Sequence, residues 1–323
     1  VLVVGGAGYI GSHIVEALQN TRHKPIVFDN LSTGHLAMVP ETVQFVEGDI
    51  RDFELVRHTL ENFQIDAVMH FAACSLVGES MNEPAKYYNN NIVGTLTLLN
   101  AMKAAAVDNM IFSSTAAVYG EPEQIPISES AATVPTNVYG RTKLAIEWSL
   151  ADYARAYGLK YIALRYFNAA GASQSGHIGE AHPTETHLIP LILKSLIKGT
   201  KMKVFGTDYP TQDGSCIRDY IHVADLATAH VLALDHLIKT ERSEVFNLGS
   251  ADGFSVLELI KATEQVTGRK VQYDVVERRA GDPAKLVANA DKAAQILGFK
   301  PQRSDLSTII QTAWQWEQTL SCK

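Results

Sequence analysis

A chain of 323 residues with 46% hydrophobic and 20% charged content can bury a large core, as one large domain or two smaller ones. Its formal net charge of -7 and pI near 5.9 exclude the broad basic face that nucleic acid or an anionic membrane surface requires, so neither partner is expected. An anionic ligand must then be held by locally placed arginines or backbone N–H groups.

The three cysteines, Cys74, Cys216 and Cys322, are odd in number and far apart, and none sits in a Cys-x-x-Cys or Cys/His ligand spacing. That usage fits a reducing compartment, and a cytoplasmic location is expected. The apolar opening Val1-Leu2-Val3-Val4 runs straight into glycines, too short for the apolar segment of a signal peptide, and no later run approaches a membrane span. Because Val1 already reads as strand, a few residues are expected to be missing before it.

Along the chain, short β-branched runs alternate with helical patterns, the rhythm of βαβ units and a parallel sheet. Strands are predicted at 1–4, 25–28, 43–47, 67–71, 110–113 and 161–166, with helices at 12–20, 92–106 and 137–157. Past Asn168 the rhythm gives way to a Gly/His/Pro-rich stretch, 171–183, which reads as a loop system and marks the domain boundary. Residues 218–237 and 244–248 read again as strand, helix and strand. The expected fold is α/β: a Rossmann-type doubly wound parallel sheet formed by 1–168, to which 218–248 returns. A smaller α/β substrate-binding domain is expected from 169–217 and 249–323.

Gly5-Gly6-Ala7-Gly8-Tyr9-Ile10-Gly11 follows the first strand and opens a helix. In that context the spacing means dinucleotide binding: Gly6 and Gly8 let the backbone approach a pyrophosphate, Gly11 allows close helix packing, and the helix N-terminus faces the phosphates. Asp29 ends the second strand about twenty residues on, where a carboxylate accepts from the adenosine ribose hydroxyls and repels a 2′-phosphate. With no Arg immediately after it, NAD is favoured over NADP. Asp49, after the third strand, suits the adenine amino group or, equally, an acidic turn position.

Tyr139-Gly140-Arg141-Thr142-Lys143 places Tyr139 and Lys143 at i and i+4 on one helical face. A free phenol, with a pKa of about 10, is too weakly acidic to act as a base at neutral pH. An adjacent ammonium and a positive nicotinamide would favour its phenolate. Ser113-Ser114-Thr115 ends a preceding strand, so the Thr115 hydroxyl can meet the same reacting oxygen.

With these motifs the chain resembles the extended short-chain dehydrogenase/reductase family, in its UDP-glucose 4-epimerase branch, over nearly its whole length. The resemblance is carried by residues 5–12, Asp29-Asn30-Leu31, Glu47-Gly48-Asp49-Ile50, His70-Phe71-Ala72 and Val77-Gly78-Glu79-Ser80. Tyr166-Phe167-Asn168, Phe205-Gly206, Asp208-Tyr209-Pro210-Thr211 and residues 218–223 carry it further. It implies that Tyr9, Ile10, Asn30, Ile50, Phe71, Ala72, Asn90 and Phe167 join the glycines around NAD. It also implies that Asn168, Leu188, Phe205, Arg218, Arg279 and Asp282 line a UDP pocket, with Leu286 beside the sugar. Arginine forks suit a diphosphate, and Phe or Leu suits a uracil face.

The implied activity interconverts UDP-galactose and UDP-glucose. Tyr139 takes the sugar 4-hydroxyl proton while hydride passes to NAD, the 4-keto sugar turns over, and hydride returns to its opposite face, so NAD is catalytic rather than consumed. Nucleotide-sugar dehydratases of the superfamily carry Asp-Glu directly after the Thr; Ala116 and Ala117 stand there in this chain, which argues against dehydration. Epimerisation of N-acetylated or uronic UDP-sugars stays open. A non-catalytic NAD-sensing protein would be expected to lack the Tyr/Lys pair. Ser75 and His187 replace a Lys and an Asn of the best-known bacterial form, and Thr115 stands where many members have Ser. The resemblance further implies a homodimer built from 92–102 and 144–157, whose apolar stripes include Leu96, Leu99, Trp148 and Leu150; burial in the protein's own core is the alternative.

Overall fold

The computed structural model describes residues 1–278 and 283–321. Seven strands form the central sheet, in the spatial order Glu244–Leu248, Lys160–Tyr166, Asn109–Ser113, Val68–His70, Leu2–Val4, Ile26–Asp29 and Gln44–Glu47. Every pairing in it is parallel. The first six strands of the chain thus lie in the doubly wound order, which reverses between Leu2–Val4 and Val68–His70. In doubly wound sheets that reversal is where a ligand crevice lies, beyond the carboxyl ends of both strands.

Both faces of the sheet are covered, because successive strand residues point to opposite sides and both sets are apolar. Val3, Val27, Met69, Ile111 and Ile162 pack with Ile14, Val15 and Leu18 of the helix Tyr9–Gln19 and with Leu226 and Leu234 of Val223–Thr240. Leu2, Val4, Phe28, Val68, Met110 and Phe112 pack on the other side. Their partners there are Val56 and Leu60 of Phe53–Asn62, Leu98 and Leu99 of Gly94–Ala104, and Leu150 of Val138–Tyr157.

The helix predicted at 12–20 begins earlier, at Tyr9, because extended Gly8 serves as its N-cap. The helix predicted at 92–106 is α-helical only over Gly94–Ala104 and is preceded by a π-helical turn, Tyr88–Val93. The cause is Asn91, whose side chain leaves the helix to bond the backbone N–H and C=O of Cys74 at 2.8 and 3.0 Å. Val138–Tyr157 matches its prediction: the Asn137 side chain accepts from the Gly140 N–H at 2.8 Å, and Gly158 ends the helix at φ +77.

Of the segment 218–248, Val223–Thr240 packs on the central sheet and Glu244–Leu248 joins it. Its first residues do not. Ile217–Arg218 pairs with Phe254–Ser255 and Lys285–Leu286, and Tyr220–His222 with Asn168–Ala170. Met202–Phe205 pairs with Tyr273–Val276. The helices Leu188–Lys198, Val256–Thr267 and Leu306–Ser321 close a second core around Ile192, Leu193, Val204, Leu259 and Ile309. Among the described residues, no helix is long and apolar enough to cross a membrane.

Candidate active site

At the crevice, Gly5 leaves the first strand at φ +82, a conformation that strains any side chain. A Cβ on Gly5 would stand 2.5 Å from the backbone nitrogen of Ala72, and one on Gly11 would stand 2.1 Å from the Gly5 carbonyl oxygen. The glycines therefore let the first turn of Tyr9–Gln19 press onto the Gly5-Gly6 turn, and that turn press onto the backbone of Phe71 and Ala72 after Val68–His70. Gly8 caps the helix without a side-chain acceptor, and the first turn holds no acidic residue. Its N–H groups and the dipole thus suit a phosphate.

Asp29 is buried, and burial pushes its carboxyl up, opposed by N–H donation from Leu31 at 2.8 Å and Ala7 at 2.9 Å. Each oxygen keeps a lone pair for a ribose hydroxyl. Asp49 is gripped by Arg51 through contacts of 2.6 and 2.8 Å and by the Asn30 amide at 3.1 Å. The Arg51 bonds hold its carboxyl well below the usual range. Ile50 is buried beside it. Half-buried Asn90 donates to Asn91, and the Tyr9 hydroxyl donates to the Gly171 carbonyl at 2.6 Å, which ties the nucleotide helix to the loop after Asn168–Ala170.

On Val138–Tyr157, Tyr139 and Lys143 face the end of Asn109–Ser113. Lys143 is buried and donates to the Ser113 carbonyl at 2.8 Å, with its Nζ 5.9 Å from the centre of the Tyr139 ring. Burial pulls Lys143 down to about 7, against the pull of Glu147. Burial also pushes the Tyr139 phenol up to about 12, while the hydroxyl of Thr115 works the other way. Desolvation thus dominates at the phenol in the protein by itself, without the positive nicotinamide that the expectation also invoked.

Sequence reasoning did not single out the scaffold beneath these groups. Arg165 donates to both oxygens of Glu147 at 3.0 and 2.5 Å, and the Ser114 hydroxyl donates to the same carboxylate at 2.5 Å. The Ser80 hydroxyl accepts from the Tyr139 N–H at 3.2 Å, and Asn91 donates to the Thr142 hydroxyl at 3.1 Å. The one visible signal was the Asn89-Asn90-Asn91 run, which is a poor helix interior.

A cavity of about 780 Å³ opens on the second unit, and Asn168, Leu188, Phe205 and Arg218 all line it. Tyr139, Lys143 and Thr115 are not among its walls. The Asn168 amide donates to the Asp219 carbonyl at 2.8 Å, and Arg218 donates to the carbonyl of Ile217 at 2.8 Å. Asp219 is fully buried and accepts from Ser250, Ala251 and Ala288. Leu286 pairs in register with Arg218 and, like Phe167 and Ala116, packs against the cluster of Val118, Tyr119, Ile127 and Leu144. Arg279 and Asp282 lie outside the described residues. Ser75 is exposed, and His187 lines the cavity with its Nδ1 against Glu180.

Leu99 and Leu150, expected in a dimer stripe, are corrected to the protein's own core: both are buried against the sheet. Leu96 packs partly there as well. Trp148 differs, at 62% exposed.

The sequence profile of the NAD dependent epimerase/dehydratase family matches residues 1–249. A UDP-glucose 4-epimerase of Halalkalibacterium halodurans is 52% identical, over 98% of this chain and 95% of that protein. The crystal structure of UDP-glucose 4-epimerase from Brucella ovis in complex with NAD superposes with a TM-score of 0.95 at 51% identity, covering 97% of this chain and 96% of that one. The Stenotrophomonas maltophila enzyme, with bound NAD and formylated UDP-arabinopyranose, gives 0.96 at 43% identity, covering 99% and 98%. With a glycine crevice at the strand-order reversal and likeness along its full length, the chain belongs to the NAD dependent epimerase/dehydratase family.

Proposed function

We propose that the chain is an NAD-dependent UDP-glucose 4-epimerase that interconverts UDP-galactose and UDP-glucose. The observation that carries this reading is the convergence of Tyr139, Lys143 and Thr115 at the end of Asn109–Ser113, in a chain that also carries the close-packed glycine turn and a cavity lined by Asn168 and Arg218. The close packing at Gly5 and Gly11 fits a dinucleotide laid against the backbone. NAD, when bound there, supplies the acceptor and then the donor of the C4 hydride.

The chain's own residues do the rest. Tyr139 takes the proton of the sugar 4-hydroxyl and later gives it back to the other epimer's oxygen. Thr115 hydrogen-bonds that oxygen and Lys143 sets the charge beside the phenol. Arg218, Asn168, Leu188 and Phe205 hold the UDP, so that the sugar can turn while its anchor stays. Gly5, Gly8, Tyr9, Ile10, Gly11, Asp29, Asn30, Asp49, Ile50, Phe71, Ala72, Asn90 and Phe167 surround the cofactor. In this division, 1–167 with 223–248 holds NAD, and 168–222 with 249–323 closes over the UDP-sugar.

The enzyme acts as a homodimer in the cytoplasm. Trp148 and Tyr88 line one groove with Pro135 and Leu144, an apolar surface on the same helices that supports self-association. Cys74 is a half-buried free thiol, which supports a reducing compartment. The test is incubation of the purified chain with UDP-galactose without added NADH. UDP-glucose is expected to accumulate to a fixed ratio, and absence of conversion in cofactor-loaded protein would overturn the reading.

A further inference from the structure

The loop that leads into Leu188–Lys198 carries chemistry that epimerisation does not use. Glu180, His182, Glu185 and His187 each turn one ligand atom toward a common point, and the four atoms lie within 4.8 Å of one another. His182 Nδ1 stands 3.0 Å from Glu180 Oε1 and 4.0 Å from Glu185 Oε1. His187 Nδ1 touches Glu180 Oε1 and lies 4.0 Å from Glu185 Oε1. The His182 Nδ1 atom is sealed from solvent and stands 3.0 Å from Glu180 Oε1, on the carboxylate side of its ring.

Charge sharpens the point. The Glu180 and Glu185 side chains are 5% and 6% exposed, and buried Glu317 of Leu306–Ser321 adds its field to theirs. The one ammonium among the described partners of these groups is Lys194, 3.3 Å from Glu185 and 3.7 Å from Glu317. Three buried carboxylates thus gather around one lysine, a setting that draws further positive charge, which a divalent cation supplies.

We propose that Glu180, His182, Glu185 and His187 bind one divalent transition-metal ion of the zinc class. Two imidazole nitrogens with two carboxylate oxygens make a four-coordinate set suited to such ions, whereas calcium and magnesium prefer all-oxygen shells. The ion braces the loop. Trp316 donates to the Glu180 carbonyl at 2.7 Å, and the His182 ring meets the edge of Tyr9, the first residue of the nucleotide helix. The same four residues line the cavity, so the ion ties the NAD side to the mouth of the UDP side. Its role is structural.

The test uses the NAD-loaded enzyme after treatment with a chelator. Titration with cobalt(II) is expected to saturate at one equivalent per chain with the visible absorption of a four-coordinate site, zinc should displace it, and zinc should raise the thermal midpoint. His182→Gln and Glu185→Gln should each weaken binding at least about tenfold. His187→Gln, at the more exposed ligand, serves as the check if either variant misfolds by circular dichroism. His58→Gln, at an exposed histidine outside the cluster, should bind as wild type. Absence of stoichiometric cobalt absorption, or equal affinity in wild type and ligand variants, would overturn the site and leave the cluster as histidine–carboxylate ion pairs.

Discussion

Lys143 is fastened to Ser113: its ammonium donates to that residue's main-chain carbonyl at 2.8 Å, which locks the helix Val138–Tyr157 to the tip of the strand Asn109–Ser113. The bond sets where Tyr139 stands relative to Thr115. It also leaves a buried amine whose pKa has fallen to about 7 through desolvation.

A pH dependence of stability follows. In the unfolded chain the same amine titrates near ~10.4. Between about pH 7 and 10 the unfolded chain therefore holds a proton that the folded chain has released, and this residue's contribution to stability rises with pH. Below about pH 7 both states are charged and the cost of burying the ammonium is felt in full. Lys143→Met should compare best with wild type at about pH 6, and its relative standing should fall by about pH 9.5. Urea unfolding at both pH values checks this, and a constant difference would reject it.

Tyr139→Phe keeps the ring and removes the only atom assigned to proton transfer. Turnover of UDP-galactose should fall by about 10²- to 10⁴-fold, while the UDP-sugar dissociation constant, read by calorimetry, should stay near the wild-type value. Wild-type turnover in this variant would remove the residue from the mechanism.

Leu286 sits in register with Arg218 and, like Phe167 and Ala116, packs against the cluster of Val118, Tyr119, Ile127 and Leu144; we propose that its side chain borders the space a sugar 2-substituent would enter. Leucine is intermediate in volume between tyrosine and serine, and an acetyl group cannot overlap packed atoms. Efficient turnover of UDP-galactose with weaker turnover of UDP-N-acetylgalactosamine is expected. Leu286→Tyr should lower the relative kcat/KM for the N-acetylated sugar, and Leu286→Ser should raise it. Ratios that fail to move in opposite directions would show that the gate lies elsewhere.

The sheet was legible because its strands are buried on both faces and read as β-branched runs, and the glycine turn because Gly5 and Gly11 admit no Cβ. Tyr139 and Lys143 were legible because a helix puts i and i+4 on one side. What stayed hidden depends on long-range partners. Nothing local says that Asn91 abandons its helix for Cys74, or that Glu147 meets Arg165 beneath Lys143. Helical spacing made Leu99, Leu150 and Trp148 look alike, although only the tryptophan turns outward. The desolvation of Tyr139 and Lys143 stayed hidden as well, because burial is set by the whole fold.

Trp148 gives the dimer its test. It is 62% exposed and borders an apolar groove with Tyr88 and Leu144. Light scattering at micromolar concentration should give the dimer mass, and Trp148→Glu should shift the population toward monomer, because it replaces a large apolar contact with a charge that must be stripped of water. A monomeric wild type would reject the assembly.

Asp219 couples three pieces of chain that are distant in sequence. One buried carboxylate receives N–H groups from Ser250, Ala251 and Ala288, and it is flanked by Arg218 on one side and Tyr220 on the other. Each of these strands or turns is only a few residues long and has little ladder of its own. Their amide protons should therefore exchange as one cooperative unit rather than fraying singly. The nucleotide-sugar pocket would then breathe by hinging a whole wall, and any loosening introduced at 250, 251 or 288 would be felt at Arg218.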